Sequence, residues 1–207
     1  MEKFNVQEFN KIFERAIKDY HILDDINQQM KNPYPEGSFE NLLYHKCFID
    51  TIQWHLEDII RDPKIDPAYA LQIKRRIDKL NQQRTDIVEL IDDYIFQNFK
   101  DKKPLPDARI NTETPGWAID RLSILNLKVY HWKEETIRKD ADEKHKQKAQ
   151  EKLNILNNQL KDLTLAIQML FEDLNNGRVI AKTYKQMKMY NDPELNPVLR
   201  KYKTNDQ

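Results

Sequence analysis

The sequence predicts an all-α fold, an antiparallel bundle of about five long helices with a basic, aromatic C-terminal tail. Three observations lead there. The three glycines and nine prolines among the 207 residues fall into a few clusters. A proline inside a helix costs about 3 kcal/mol, so these clusters mark boundaries. Between them, apolar residues recur at steps of three and four, the period that gathers them on one helical face. No sustained alternating run and no Asn-Gly or Asp-Gly turn argues for strands.

The first helix is expected from Val6 to about Met30, with Val6, Phe9, Phe13, Ala16, Tyr20, Leu23 and Met30 on its buried side. A loop with Pro33, Pro35 and Gly37 ends it, and Ser38 caps a second helix to about Arg61. A serine oxygen there accepts from a free N–H of the first turn. Asp66-Pro67 and Thr114-Pro115 each read as an N-cap followed by proline at the first helical position. They open a third helix to about Phe99 and a fourth. One helix from Trp117 to Asn176 would be about 90 Å long, too long for a compact domain of this size. A break is therefore placed near Lys139, with Asp140 and Glu143 as a capping box for the fifth helix. Asn176-Gly177 closes that helix. The expected division is a bundle domain over residues 1–177 and a tail over 178–207, packed on the bundle or partly extended.

Acidic and basic residues balance at 34 each, which gives no global reason to seek nucleic acid or an anionic membrane. The tail from Arg178 to Lys203 has seven basic and two acidic residues, with tyrosines and methionines among them. It is read as a short helix and an extended strap, because no nucleic-acid motif accompanies it. The first ten residues do not resemble a secretion signal, and no apolar run approaches the ~20 residues of a membrane span. The single cysteine, Cys47, excludes an internal disulfide and fits a reducing compartment. A cytoplasmic location follows.

Chemistry in a bundle is built from polar side chains that project inward. His45, Arg84 and His131 interrupt the apolar stripes most clearly. Counting turns along an up-down bundle brings Asp24, His45, Arg84, Glu89, His131 and Glu134 to one height. Imidazoles and carboxylates so grouped could hold a divalent metal or carry general acid–base chemistry. The structural alternative is a network in which Arg84 pairs with carboxylates beneath aromatic cover. A second constellation is His55, Glu57, Asp58 and Arg61, with Asp120 and Arg121 brought near by the long loop before Pro115. It reads first as a charge network. No Gly-x-Ser-x-Gly elbow, phosphate-binding glycine loop or zinc-type cysteine spacing is present.

Two segments, Asn41 to Arg61 (NLLYHKCFIDTIQWHLEDIIR) and Thr114 to His131 (TPGWAIDRLSILNLKVYH), resemble a bacterial family known as domain of unknown function 4254, common in Bacteroidetes. The resemblance implies a Gram-negative cytoplasmic protein and directs attention to Trp54, His55, Glu57, Asp58, Arg61, Asp120, Arg121 and His131. It assigns no activity, cofactor or catalytic residue. The leading expectation is a helical-bundle module that binds a protein partner or a second copy of itself. The alternative is a metal-assisted hydrolase acting on a phosphorylated small molecule.

Overall fold

The computed structural model describes residues 4–189 and 192–203. It contains α1 (Val6–Tyr20), α2 (Phe39–Ile59), α3 (Pro67–Phe99), α4 (Pro115–Ile137), α5 (Glu143–Asn175) and the short α6 (Pro197–Lys203). Among the described residues, the five long helices pack into one bundle without a sheet. A lone bridge between Arg109 and Val179 ties the loop after α3 to the chain leaving α5. No helix among the described residues is long and apolar enough to cross a membrane. Tyr190 and the side chain of Tyr202, counted among the tail aromatics, lie outside the described residues.

Local chemistry sets the helix starts. Ser38, Asp66 and Thr114 each accept a hydrogen bond from the backbone three residues on, which satisfies a donor the helix cannot. The start of α5 differs from expectation: Asp142, not Asp140, is the cap, and it accepts from His145 N at 2.7 Å. The end of α1 differs more. The helix stops at Tyr20 rather than near Met30. Asp24 adopts a left-handed φ of 49°, and Asp25 accepts from Asn27 N at 2.8 Å. Short acidic side chains stabilise such turns at the expense of helix. Ile22 and Leu23 are left exposed as a result.

That early stop changes the threading. Phe9 meets Phe39 and Tyr20 meets His55, so α1 and α2 run in the same direction, joined by a long return segment. Lys46 reaches Asp120 and Trp54 reaches His131, so α4 runs parallel to α2. Gln53 meets Asn81, and Val6 meets Gln168; α3 and α5 point the other way. Three helices therefore run one way and two run back, and only part of the packing is antiparallel.

The two ends of the bundle differ chemically. At one end, Phe4, Phe9, Phe39, Phe99 and Phe171 form a dry aromatic cluster, with Phe4 stacked 4.6 Å from Phe171. At the other, the rings are Tyr20, His21, Trp54, His55, Tyr130 and His131. Between them, α3 and α4 approach so closely at Gly116 that a Cβ there would lie 2.7 Å from the Asp92 carboxylate. Asp92 accepts hydrogen bonds from Gly116 N and the Thr114 hydroxyl. This latch fixes where α4 begins along α3.

Candidate metal centre and adjoining cleft

The middle of α2 is buried on nearly every side, from Leu43 to Ile52. Its charged residues cannot turn to water, so they must be paired within the protein. Lys46 is fully buried. Its Nζ donates to Asp50 Oδ2 and, at 3.0 Å, to Asp120 O, and it lies 3.0 Å from Asp120 Oδ1. Arg84 grips the Asp120 carboxylate with two hydrogen bonds of 2.7 and 2.6 Å, the bidentate geometry that suits a guanidinium. Ser123 donates to Asp50 at 2.7 Å. Two cations thus face two carboxylates across α2, α3 and α4.

The two carboxylates are not equivalent. Burial pushes the Asp50 carboxyl up, Lys46 only partly offsets this, and repulsion from Asp120 adds to it. Burial also opposes ionisation of Asp120, but Lys46 and Arg84 outweigh it and hold that carboxyl below its usual range. The network holds three helices in register. Cys47 beside it donates to Phe13 O, and burial pushes its thiol up to about 12, so it is no nucleophile.

At the polar aromatic end, His21, His55 and His131 each present a ring nitrogen, all within 4.8 Å of one another. Each comes from a different element: the C-cap of α1, the last turns of α2 and the last two turns of α4. His21 Nδ1 lies 2.7 Å from Ile17 O. A carbonyl only accepts, so Nδ1 carries the proton and Nε2 is left with a lone pair. That is how a backbone carbonyl orients a metal-binding histidine. His21 Nε2 and His55 Nε2 face each other at 3.2 Å. Two ligands about 2.0–2.1 Å from one tetrahedral zinc are about 3.3 Å apart.

The third imidazole is the most constrained. Trp54 stacks on His131 with centroids 4.7 Å apart, and His131 Nε2 is buried without a hydrogen-bond partner among the described residues. An unmet buried polar atom costs about 1–3 kcal/mol. Burial, reinforced by His21 and His55, pushes the His131 ring down to about 4. Burial likewise lowers His55, against the opposing pull of Asp24. Both rings are therefore neutral near pH 7, the state that coordinates metal. Asp24 Oδ1 lies 3.6 Å from His55 Nε2. A cavity of about 320 Å³ opens beside them, lined by Tyr20, Asp24, Asp25, His55 and Asp58.

The expected slice of six residues does not form. Asp24 and His131 join the histidine group, but His45 stands ten residues, about 15 Å, from His55 along α2. Arg84 belongs to the Asp120 network. Glu89 accepts from Gln186 N and pairs with Lys185 of the C-terminal strap. Glu134 is exposed. Within the second constellation, Glu57 and Arg61 pair with each other, and both line a cleft with Asp58 and Arg84. Asp120 faces inward, whereas Arg121 turns out to Glu113. His55 leaves this constellation for the other histidines.

Sequence reasoning missed His21, Lys46 and Asp50. Lys46 and Asp50 had a readable signal: an i,i+4 ion pair inside an apolar run with no polar face. His21 had none while the first helix was carried on to Met30, because its role depends on the helix ending at Tyr20.

A family described as protein of unknown function (DUF4254) matches residues 40–183, the stretch that carries α2 to α5 with Lys46, His55, Asp120 and His131. No curated protein and no solved structure matches the chain. The match spans well over half of the sequence, and the chain belongs to this DUF4254 family.

Proposed function

We propose that the protein binds a divalent transition metal through His21, His55 and His131, which leaves a fourth position open to water, and uses it in hydrolysis. The observation that carries this reading is that three imidazoles place ring nitrogens within 4.8 Å of one another, and that His131 among them has a buried Nε2 with no hydrogen-bond partner among the described residues. Three imidazoles suit zinc and its neighbours rather than magnesium or calcium. Such a metal lowers the pKa of bound water towards neutrality and supplies a nucleophile. Asp24 borders the cavity beside it, where its carboxylate can take the proton from that water.

Asp24, Asp25 and Asp58 all line that cavity. Three carboxylates repel a phosphate dianion, so ester or amide substrates are favoured over the phosphorylated small molecule expected from sequence. Self-assembly, the other expectation, has weaker support. Ile155, Leu165 and Met169 are exposed on α5, but Asn158 and Asp162 lie between them on the same helical face and interrupt any apolar patch.

The test is metal-dependent turnover. Protein stripped with a chelator and restored with zinc is assayed on chromogenic esters and anilides. Hydrolysis is expected only after restoration and is expected to vanish in His55→Ala. Activity that survives chelation, or none on any substrate with a full equivalent of zinc bound, contradicts the hydrolytic reading.

A further inference from the structure

A second cavity, of about 300 Å³, opens between α2, α3 and α4 and is lined in part by Trp54. Its size is at the lower end of ligand pockets, which run about 300–1,000 Å³. Trp54, Ile124 and Leu127 give it apolar walls, and Arg84, Asp58 and Arg61 give it charge of both signs. Arg84 has five N–H donors and gives only two to Asp120. The remaining donors sit on a side chain that is one-quarter exposed and lines the cavity. Asp58 lines the same space, is exposed, and makes no ion pair among the described residues. Arg61 is already paired with Glu57 at the mouth.

The spacing between the free guanidinium donors of Arg84 and the Asp58 carboxylate selects a ligand length. Arg84 Nε lies 3.7 Å from Asp50 Oδ1, so the guanidinium marks the level of Asp50. Asp58 is two turns further along α2, about 12 Å at 1.5 Å per residue. Hydrogen bonds of about 3 Å at each end leave about 6 Å between the charged ends of a ligand. One extended residue spans about 3.3–3.6 Å, so a free amino acid is too short and two residues fit.

We infer that this cleft binds a dipeptide-sized zwitterion, its carboxylate on Arg84, its ammonium on Asp58 and its side chains against Trp54, Ile124 and Leu127. Recognition needs no metal, so it stands apart from the chemistry proposed for the histidines. The full-length protein, stripped of metal and returned to chelator-free buffer, is titrated calorimetrically with alanyl-leucine, its N-acetyl form, its C-terminal amide and free leucine. Alanyl-leucine is expected to bind one to one, with the other three at least tenfold weaker. Asp58→Asn, an exposed and isosteric change, is expected to remove the preference over the N-acetyl form while leaving the preference over the amide. Equal affinity for the blocked peptides, tighter binding of leucine, or no saturable heat with alanyl-leucine overturns the inference. So does unchanged discrimination in Asp58→Asn.

Discussion

Trp54 lies flat on His131, ring planes 11° apart and centroids 4.7 Å apart, while also lining the Arg84 cleft. One indole therefore stands between His131 and the cleft of Arg84, two side chains that sequence reading put at one height. It also covers one face of the His131 ring and limits how water reaches it. A paramagnetic ion bound to His131 would sit within a few ångströms of this ring. Copper(II) is therefore expected to quench tryptophan emission with saturation at one equivalent. Trp54→Phe is expected to remove most of the quenchable signal, although Trp117 and Trp132 remain. Equal quenching in the variant would place the ion elsewhere.

The protonation of His131 gives a second test. Its folded pKa lies near 4 because of burial and its two histidine neighbours, below the ordinary value of about 6.5. The neutral ring is thus favoured by folding. Its contribution is fully present above about pH 6.5 and is lost as pH falls towards 4, by on the order of 2 kcal/mol. Proton NMR of metal-free protein is expected to show one histidine titrating near pH 4. His131→Gln is expected to flatten the acid limb of the stability profile.

Asp92 has the opposite sign. Burial raises its carboxyl to about 6, against the lowering effect of hydrogen bonds from Thr114 and Gly116. A raised folded pKa means the stabilisation is present below about pH 4 and lost as pH rises through 6, by about 2 kcal/mol. Asp92→Asn keeps an oxygen for Gly116 N and does not titrate. The stability of wild type relative to this variant is expected to fall by that amount between pH 4 and 7 in urea titrations.

Lys46 tests the buried network. Lys46→Met leaves Asp50 and Asp120 with Arg84 alone between them, and removing one partner of a buried pair costs about 3–5 kcal/mol. Adding Asp50→Asn removes the unpaired charge while keeping an acceptor for Ser123. The double variant is expected to recover at least half of the loss. A Lys46→Met protein as stable as wild type would show that the network contributes nothing to the fold.

Much of the fold was legible because its signals are local. The caps Ser38, Asp66 and Thr114 act within one turn of chain, and their chemistry is the same in any context. The direction of α1 was not legible, because it depends on Asp24 adopting a left-handed backbone and ending the helix ten residues early. The level of His131 was misplaced for a similar reason. Asp92 latches Gly116, so α4 starts seven residues short of the end of α3, about 10 Å along the axis. That shift carries His131 away from Arg84 and onto Trp54. Arg84 and Asp120 were both singled out from sequence but in different constellations. The pairing of Arg84 with a carboxylate, set down as the structural alternative, is the arrangement present.

The most direct test of the metal centre is the metal content of the protein purified without chelator and then dialysed against zinc, compared across single histidine variants. Wild type and His45→Ala are expected to hold about one equivalent, since His45 stands about 15 Å along α2 from the site. His21→Ala and His131→Ala are expected to hold almost none while remaining folded by circular dichroism. Wild-type protein without bound zinc, or unchanged content in the His21 and His131 variants, would contradict the assignment.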